Sequence, residues 1–157
     1  MSAPSRFLYP LTFPLRIMPS VLHSRALATM LNQVMKEALE DGELDFLIGR
    51  RIAIEIDDIG VRYRLGLTDG KIRGYGDDMP ADASIAGGLH EFLLLAARRE
   101  DADTLFFQRR LRMSGDTELG LYLKNFLDAF EPPEKYQPLV RALDKMASIR
   151  LPGKSRA

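Results

Sequence analysis

The stretch from Thr104 to Phe130 constrains the fold of this chain most, because its hydrophobic period changes partway along. Over 109–114, apolar and polar residues alternate, and this period of two predicts a β-strand. Gly115 then permits a sharp exit from the strand. Over 119–130 the apolar residues recur at spacings of three and four, which predicts an amphipathic helix with Asp116 as its N-cap.

The apolar stripe of this helix has two interpretations. It can be an ordinary core helix packed on a sheet, or one wall of a pocket the size of a lipid, since such pockets are lined mainly by apolar and aromatic side chains. The spacing does not separate the two. The stripe consists of Leu119, Tyr122, Leu123, Phe126, Leu127 and Phe130.

The rest of the chain predicts an α+β fold. Period-two alternation and turn sequences such as Asp69-Gly70 predict four further strands, and longer apolar periods predict three further helices. A leading meander followed by alternating strand and helix indicates a mixed five-stranded sheet with helices on one face. The predicted strands cover 52–57, 61–67, 71–75 and 83–86, and the predicted helices cover 20–40, 89–99 and 133–149.

Two segments of this pattern resemble a known family. FFQRRLRMSGDTELGLYLKNFLDAF, preceded by ADASIAGGLHEFLLLAARRED, is similar to the last strands and helices of the sterol carrier protein type 2 family, although Gln108 and Arg109 depart from its usual residues. The resemblance covers 44–130. It implies that the helices and the sheet enclose an apolar lipid pocket. By that analogy the pocket residues are Phe92, Leu95, Phe106, Phe107, Tyr122, Leu123 and Phe126.

The front end of the chain resembles the UbiT-type branch of this family, whose members are accessory factors of oxygen-independent ubiquinone biosynthesis. That resemblance implies a polyprenylated ubiquinone precursor or a membrane phospholipid as cargo. It also implies partners among ubiquinone biosynthesis proteins of the U32-peptidase-like type. The domain plan is then an N-terminal strap over 1–19, a lipid-binding domain over 20–130, and a last helix with a disordered tail over 131–157.

Composition excludes several other functions. The formal net charge is zero, which argues against a dedicated nucleic-acid partner. The chain has no cysteine, and its two histidines, His23 and His90, are far apart and predicted to be exposed. No nucleophile–base pair or phosphate-binding loop is visible, so we expect a protein that is not an enzyme and needs no metal or cofactor. The sequence shows neither a membrane-spanning run nor a signal peptide, which favours the cytoplasm, with peripheral attachment to the inner membrane.

Two sets of residues are candidates for contacts with lipid head groups or membranes. Arg98, Arg99 and Arg109 can hold an anionic head group at the pocket mouth, or can be ordinary solvated arginines with acidic partners. In the proline-rich segment 1–19, the residues Phe7, Tyr9, Phe13 and Arg16 suit contact with a membrane surface or a lid over the pocket. The alternative is a strap that only packs on the domain.

The sequence therefore favours a non-enzymatic lipid-binding protein. One alternative is a structural accessory subunit of a biosynthetic complex that carries no lipid and uses its apolar surfaces to bind a partner. A small thioesterase or hydrolase is the least favoured interpretation, for want of an activated nucleophile.

Overall fold

The computed structural model describes residues 19–149. The predicted membrane-contact residues Phe7, Tyr9, Phe13 and Arg16, and the tail after Ile149, lie outside the described residues. We number the elements in chain order. The helices are α1 (Ser20–Val34), α2 (Lys36–Glu40), α3 (Leu89–Ala96), α4 (Ala102–Phe107), α5 (Thr117–Ala129) and α6 (Gln137–Ser148), with 3-10 turns at Asp45–Leu47 and Glu134–Tyr136. The strands are β1 (Arg51–Ile56), β2 (Val61–Thr68), β3 (Lys71–Tyr75), β4 (Ala83–Gly87) and β5 (Leu111–Gly115).

The strands form one sheet in the order β3-β2-β1-β4-β5. Only the central pair, β1 and β4, is parallel, and the other neighbours run antiparallel. The sheet is therefore mixed and five-stranded, and the predicted α+β fold is confirmed. The hairpin between β2 and β3 has positive φ at both Asp69 and Gly70, which is the geometry that a two-residue type I′ turn requires.

The register places the apolar residues of all five strands on one face, which we call the inner face. On it, Ile52 lies between Leu65 and Ala83, and Ile54 lies between Tyr63 and Ile85. Helix α1 packs on this face over β2 and β3, and α5 packs on it over β4 and β5. The outer face is polar because the alternate residues are largely charged, and it carries ion pairs such as Arg62 with Glu55.

Three features fix α1 closely against the sheet. The hydroxyl oxygen of Ser24 accepts the backbone N–H of Arg64 at 2.9 Å. The Asn32 carboxamide accepts from the N–H of Ile72 at 2.7 Å and donates to its carbonyl at 2.9 Å. Gly74 has no side chain, and a Cβ there would lie 2.3 Å from the Ser24 carbonyl carbon, so only glycine allows this approach.

Helix α1 begins at Ser20, as the apolar period predicts. Pro19, not Ser20, occupies the N-cap position, and the Ser20 hydroxyl instead accepts the N–H of Asp77 at 3.2 Å. The predicted single helix over 20–40 is interrupted at Met35, so α1 and α2 are separate elements. Beyond the predicted domain boundary, α6 packs on α3, where Leu93, Leu94 and Ala147 form a small buried cluster.

Candidate lipid-binding site

The centre of the inner face is only partly covered. Ile54 lies on β1, the middle strand of the sheet, yet its side chain is half-buried, as is that of its neighbour Tyr63. Helix α1 covers the two strands on one side and α5 covers the two strands on the other. Ile52 and Ile56, on either side of Ile54 in β1, are buried, so the apolar strip between the two helices is partly open at Ile54 and Tyr63. Partly open apolar surface of this kind suits an apolar ligand.

Helix α1 forms one wall of this strip. Asn32 binds the edge strand β3, so the opposite side of α1 is turned towards the centre of the sheet. At 100° per residue, His23 lies about 180° and Leu27 about 140° from Asn32 around the helix axis. Both side chains are accordingly placed beside β1 and β2, where Leu27 packs against the core.

Aromatic side chains form the other wall. Phe46, in the first 3-10 turn, stacks on Tyr122 with ring centroids 6.0 Å apart and lies 6.3 Å from Phe126. Phe126 in turn stacks on Phe130 at 5.4 Å. Within residues 19–149, twelve apolar side chains pack on the main core while remaining partly exposed. We name the strip the inner groove and define it by Leu27, Phe46, Ile54, Phe92, Leu95 and Phe126.

The seven predicted pocket residues fall into three groups. Leu123 and Phe126 are buried in the main core, and the half-buried Phe92, Leu95 and Phe106 pack against it. Tyr122 is 49% exposed but stacks on Phe46. Phe107 stands apart, because it is 89% exposed and joins none of the apolar clusters that the described residues form. Six of the seven thus lie in or around the core, and the structure places Phe107 at the surface.

Sequence reasoning did not select Ile54 and Phe46 for the site. Ile54 belongs to an alternating run in which all three isoleucines look equivalent, and only the spacing of the helices leaves the middle one open. Phe46 lies in a 3-10 turn of three residues, which is too short to show a hydrophobic period. No local signal in the sequence marks either residue.

The three predicted head-group arginines differ in what they contact. Arg98 donates to the carbonyl oxygens of Leu127 at 3.1 Å and Asp128 at 3.4 Å, which lack helical partners at the end of α5. Arg99 lies 3.3 Å from the Asp144 carboxylate on α6 and donates to Ser148. Arg109 is exposed, and within residues 19–149 its side chain makes no hydrogen bond or ion pair. Of the three, Arg109 has the guanidinium available to a ligand.

A polar pair borders the inner groove. His23 is only 7% exposed, so the prediction that it is exposed is wrong, and within the described residues its Nε2 atom has no hydrogen-bond partner. Its ring centroid lies 6.3 Å from that of Tyr63, with the planes tilted by 48°. Burial raises the pKa of Tyr63 above its ordinary value, so its hydroxyl stays protonated at neutral pH.

A second concave region lies at the edge of the sheet and has a different character. It is an open groove of about 690 Å³ between α1 and β3, with Arg25, Thr29, Thr68, Arg73 and Asp78 among its lining residues. This polar lining does not suit an apolar cargo.

The described part of the chain offers neither a membrane span nor a metal centre. None of the helices within residues 19–149 has the length and apolar character needed to cross a bilayer. In the same residues, no three or more histidine or carboxylate side chains are grouped so as to hold a metal ion.

Comparison with known proteins supplies the family. The profile of the SCP-2 sterol transfer family matches residues 27–128. The ubiquinone biosynthesis accessory factor UbiT of Escherichia coli (strain K12) is 39% identical over 139 residues, which cover 88% of this chain and 79% of that protein. UbiT of Escherichia coli O157:H7 matches to the same extent.

A solved structure supports the fold. The UbiJ-SCP2 ubiquinone synthesis protein superposes with a TM-score of 0.55 at 17% identity, covering 68% of this chain and 94% of that chain. At this identity the likeness bears on the fold alone. The family profile spans more than half of the chain, and the E. coli relative covers most of it, so the chain belongs to the SCP-2 sterol transfer family and, within it, to the UbiT type.

Proposed function

We propose that this protein is a non-enzymatic lipid carrier that acts as an accessory factor in ubiquinone biosynthesis. The observation that carries the proposal is the half-buried Ile54 in the middle of the sheet, at the floor of a groove with apolar and aromatic walls. Burying apolar surface yields about 25 cal/mol per Å², so a long hydrocarbon chain lying on this floor would bind favourably. The UbiT relatives support the pathway assignment, because their name places them in ubiquinone biosynthesis.

The cargo we propose is an isoprenoid quinone precursor or a membrane phospholipid, presented to biosynthetic enzymes of the U32-peptidase-like type under oxygen-free conditions. Both ligands combine a long apolar chain with a small polar head, which matches a groove with few polar groups at its border. Loading requires contact with a membrane. We propose that the exposed Phe107 ring, at the end of α4, and Arg109, two residues later in the sequence, assist that contact at the cytoplasmic face of the inner membrane. The segment 1–19 remains a predicted second contact.

A structural observation also favours the alternative of a subunit that only binds a partner protein. Helix α6 packs on α3 through Leu143 and Ala147 but leaves Leu139 and Met146 exposed, and Ile149, just after the helix, is exposed as well. Apolar residues left on one helix side are a common feature of protein interfaces. This alternative predicts a folded protein that associates with a partner but takes up no lipid.

The first prediction tests lipid uptake with a matched pair of substitutions. Ile54→Gln places an amide on the groove floor, and an amide left without a hydrogen bond under a bound chain costs about 1–3 kcal/mol. We therefore expect its affinity for a pyrene-labelled fatty acid to fall about tenfold. Ile48→Gln is the control, because Ile48 is 62% exposed after the 3-10 turn and bridges to Leu67, whereas Ile54 pairs with Tyr63. The chain has no tryptophan, so the pyrene signal is free of interference from it.

Thermal unfolding of both variants establishes that they are folded before binding is compared. Equal affinities of Ile54→Gln and Ile48→Gln for the labelled fatty acid would exclude the inner groove as the lipid site. A folded wild-type protein that takes up no labelled lipid would favour the subunit alternative instead.

A further inference from the structure

We propose that His23 and Tyr63 together bind an uncharged oxygen on the head of the cargo, a hydroxyl or a carbonyl group. This inference rests on the proposed lipid-carrier function and adds the chemical class of the head group. It assigns the polar end of the site to the point where α1 meets β2, and not to the surface arginines.

The position of His23 is fixed by its neighbour in the sequence. Ser24 is fully buried and binds the backbone N–H of Arg64, and its backbone lies against Gly74. The next side chain towards the N-terminus, that of His23, is therefore held over the inner face beside β2.

A buried imidazole nitrogen without a partner is unusual, because nearly all buried polar atoms in folded proteins have a hydrogen bond. The Nε2 atom of His23 has none within the described residues, although His23 is more than nine-tenths buried. The hydroxyl group of Tyr63, whose ring centroid lies 6.3 Å from that of His23, also makes no hydrogen bond within residues 19–149. Two neighbouring polar groups thus remain available to a ligand that enters the groove.

The surroundings of the pair select against a charged head group. Tyr63 packs on a cluster of Ile56, Ile59 and Val61, next to Leu89 and Phe92. The arginines on either side of Tyr63 in β2 alternate to the outer face of the sheet. Burying a phosphate or carboxylate here would cost far more than burying a neutral group, because within residues 19–149 no lysine or arginine side chain contacts the pair.

The chemistry of the pair fits a single oxygen atom. A neutral imidazole nitrogen either donates or accepts, and a phenol hydroxyl does both. A ligand hydroxyl can therefore accept from one partner and donate to the other, whereas a carbonyl can accept from both. Ile54 lies directly opposite Tyr63 in the sheet, so a chain attached to that oxygen would continue along the groove floor.

The test compares three probes with the same isoprenoid chain: farnesol, farnesene, which lacks the oxygen, and farnesyl phosphate, which is an anion. Each is titrated against a bound pyrene-labelled fatty alcohol, which carries no charge, in the full chain. The variants are Tyr63→Phe, which removes one oxygen atom, and His23→Phe. Tyr75→Phe is the control, because Tyr75 lies on the outer face, under the Arg51 guanidinium.

The wild type and Tyr75→Phe are expected to bind farnesol about tenfold more tightly than farnesene, as one or two hydrogen bonds to neutral groups allow. In Tyr63→Phe and His23→Phe the preference should shrink towards equal affinity, while farnesene binding is retained. An unchanged preference in Tyr63→Phe, which is the variant least able to disturb the fold, would overturn the inference, and so would a wild type that prefers farnesyl phosphate. A wild type that binds none of the three probes would instead contradict the carrier function itself.

Discussion

At the scale of single residues, two aspartates determine where helices begin. Asp116 accepts the N–H of Leu119 at 3.0 Å at the start of α5, which confirms its predicted role as N-cap. Asp101 does the same for Thr104 at 2.7 Å at the start of α4. Each carboxylate compensates a backbone donor that the helix leaves unpaired. These contacts anchor the two helices that flank β5.

The second prediction concerns the pH dependence of stability through Asp116. The N–H of Leu119, with Arg50 beside it, holds the pKa of Asp116 below its ordinary value. The ionised Asp116 carboxylate therefore stabilises the folded state fully above the pKa of about 3.9 that an aspartate has in the unfolded chain. This stabilisation is lost as the pH falls through the lower pKa of Asp116 in the folded state. Asp116→Asn keeps a capping oxygen but no charge, so the wild type should exceed it in urea midpoint at pH 7. The difference should close at pH 2.

The measurement is a series of urea unfolding curves for both proteins between pH 2 and pH 7. A difference in midpoint that stays constant over this range would show that the charge of Asp116 contributes nothing.

The roles of single residues could be predicted from the sequence where they depend only on neighbouring residues in the chain. The turn at Gly115 and the N-cap at Asp116 could be predicted because capping involves only the next three residues. The burial of His23 could not be predicted, because it depends on the contact between Ser24 and Arg64, which lie 40 residues apart in the chain. The sequence also did not show which of the three arginines would be left without a partner. The partners of Arg98 and Arg99 come from helices that are distant in the chain.

At the scale of elements, the attachment of α1 to the edge strand shapes the site. The Asn32 carboxamide acts towards Ile72 as a neighbouring strand would, with one donor and one acceptor. This contact protects an otherwise unpaired strand edge and sets the rotation of α1. Because α1 is turned in this way, His23 and Leu27 face the middle of the sheet and the inner groove has its wall.

The third prediction tests that attachment. Asn32→Ala leaves the N–H and carbonyl of Ile72 without their partner, so we expect the free energy of unfolding to fall by about 1–3 kcal/mol. Gln33→Ala is the control, because Gln33 is the exposed neighbour on the same helix. Urea unfolding followed by circular dichroism measures both. Equal stability of the two variants would show that the side-chain contact does not hold α1 on the sheet.

The elements themselves were largely predictable, because periods of two and of 3.6 are properties of short segments. All five strands and the main helices lie where the pattern places them, with shifts of a few residues at their ends. What the pattern lacks is the distance between α1 and α5. That distance depends on Asn32, Gly74 and the packing of Met113 against Gly120, each of which joins residues from different elements.

At the scale of the whole molecule, the protein combines a filled core with an apolar groove between two helices. The family and the fold were recognisable from two sequence segments. The site was recognisable only in part, because helices that line a groove and helices that fill a core carry the same stripe. Ile54, His23 and Tyr63 indicate a groove and not a filled core, because Ile54 is only half-buried and Nε2 of His23 lacks a partner within the described residues. The surroundings of all three residues depend on how α1 and α5 are spaced over the sheet.

The central claim is that the folded protein carries lipid, and native mass spectrometry of the full chain purified from bacterial cells tests it most directly. We expect a population heavier than the bare chain by the mass of one lipid, and the same lipid in an organic extract of the sample. A folded protein that shows only the bare mass, with no extractable lipid after expression both with and without oxygen, would contradict the account.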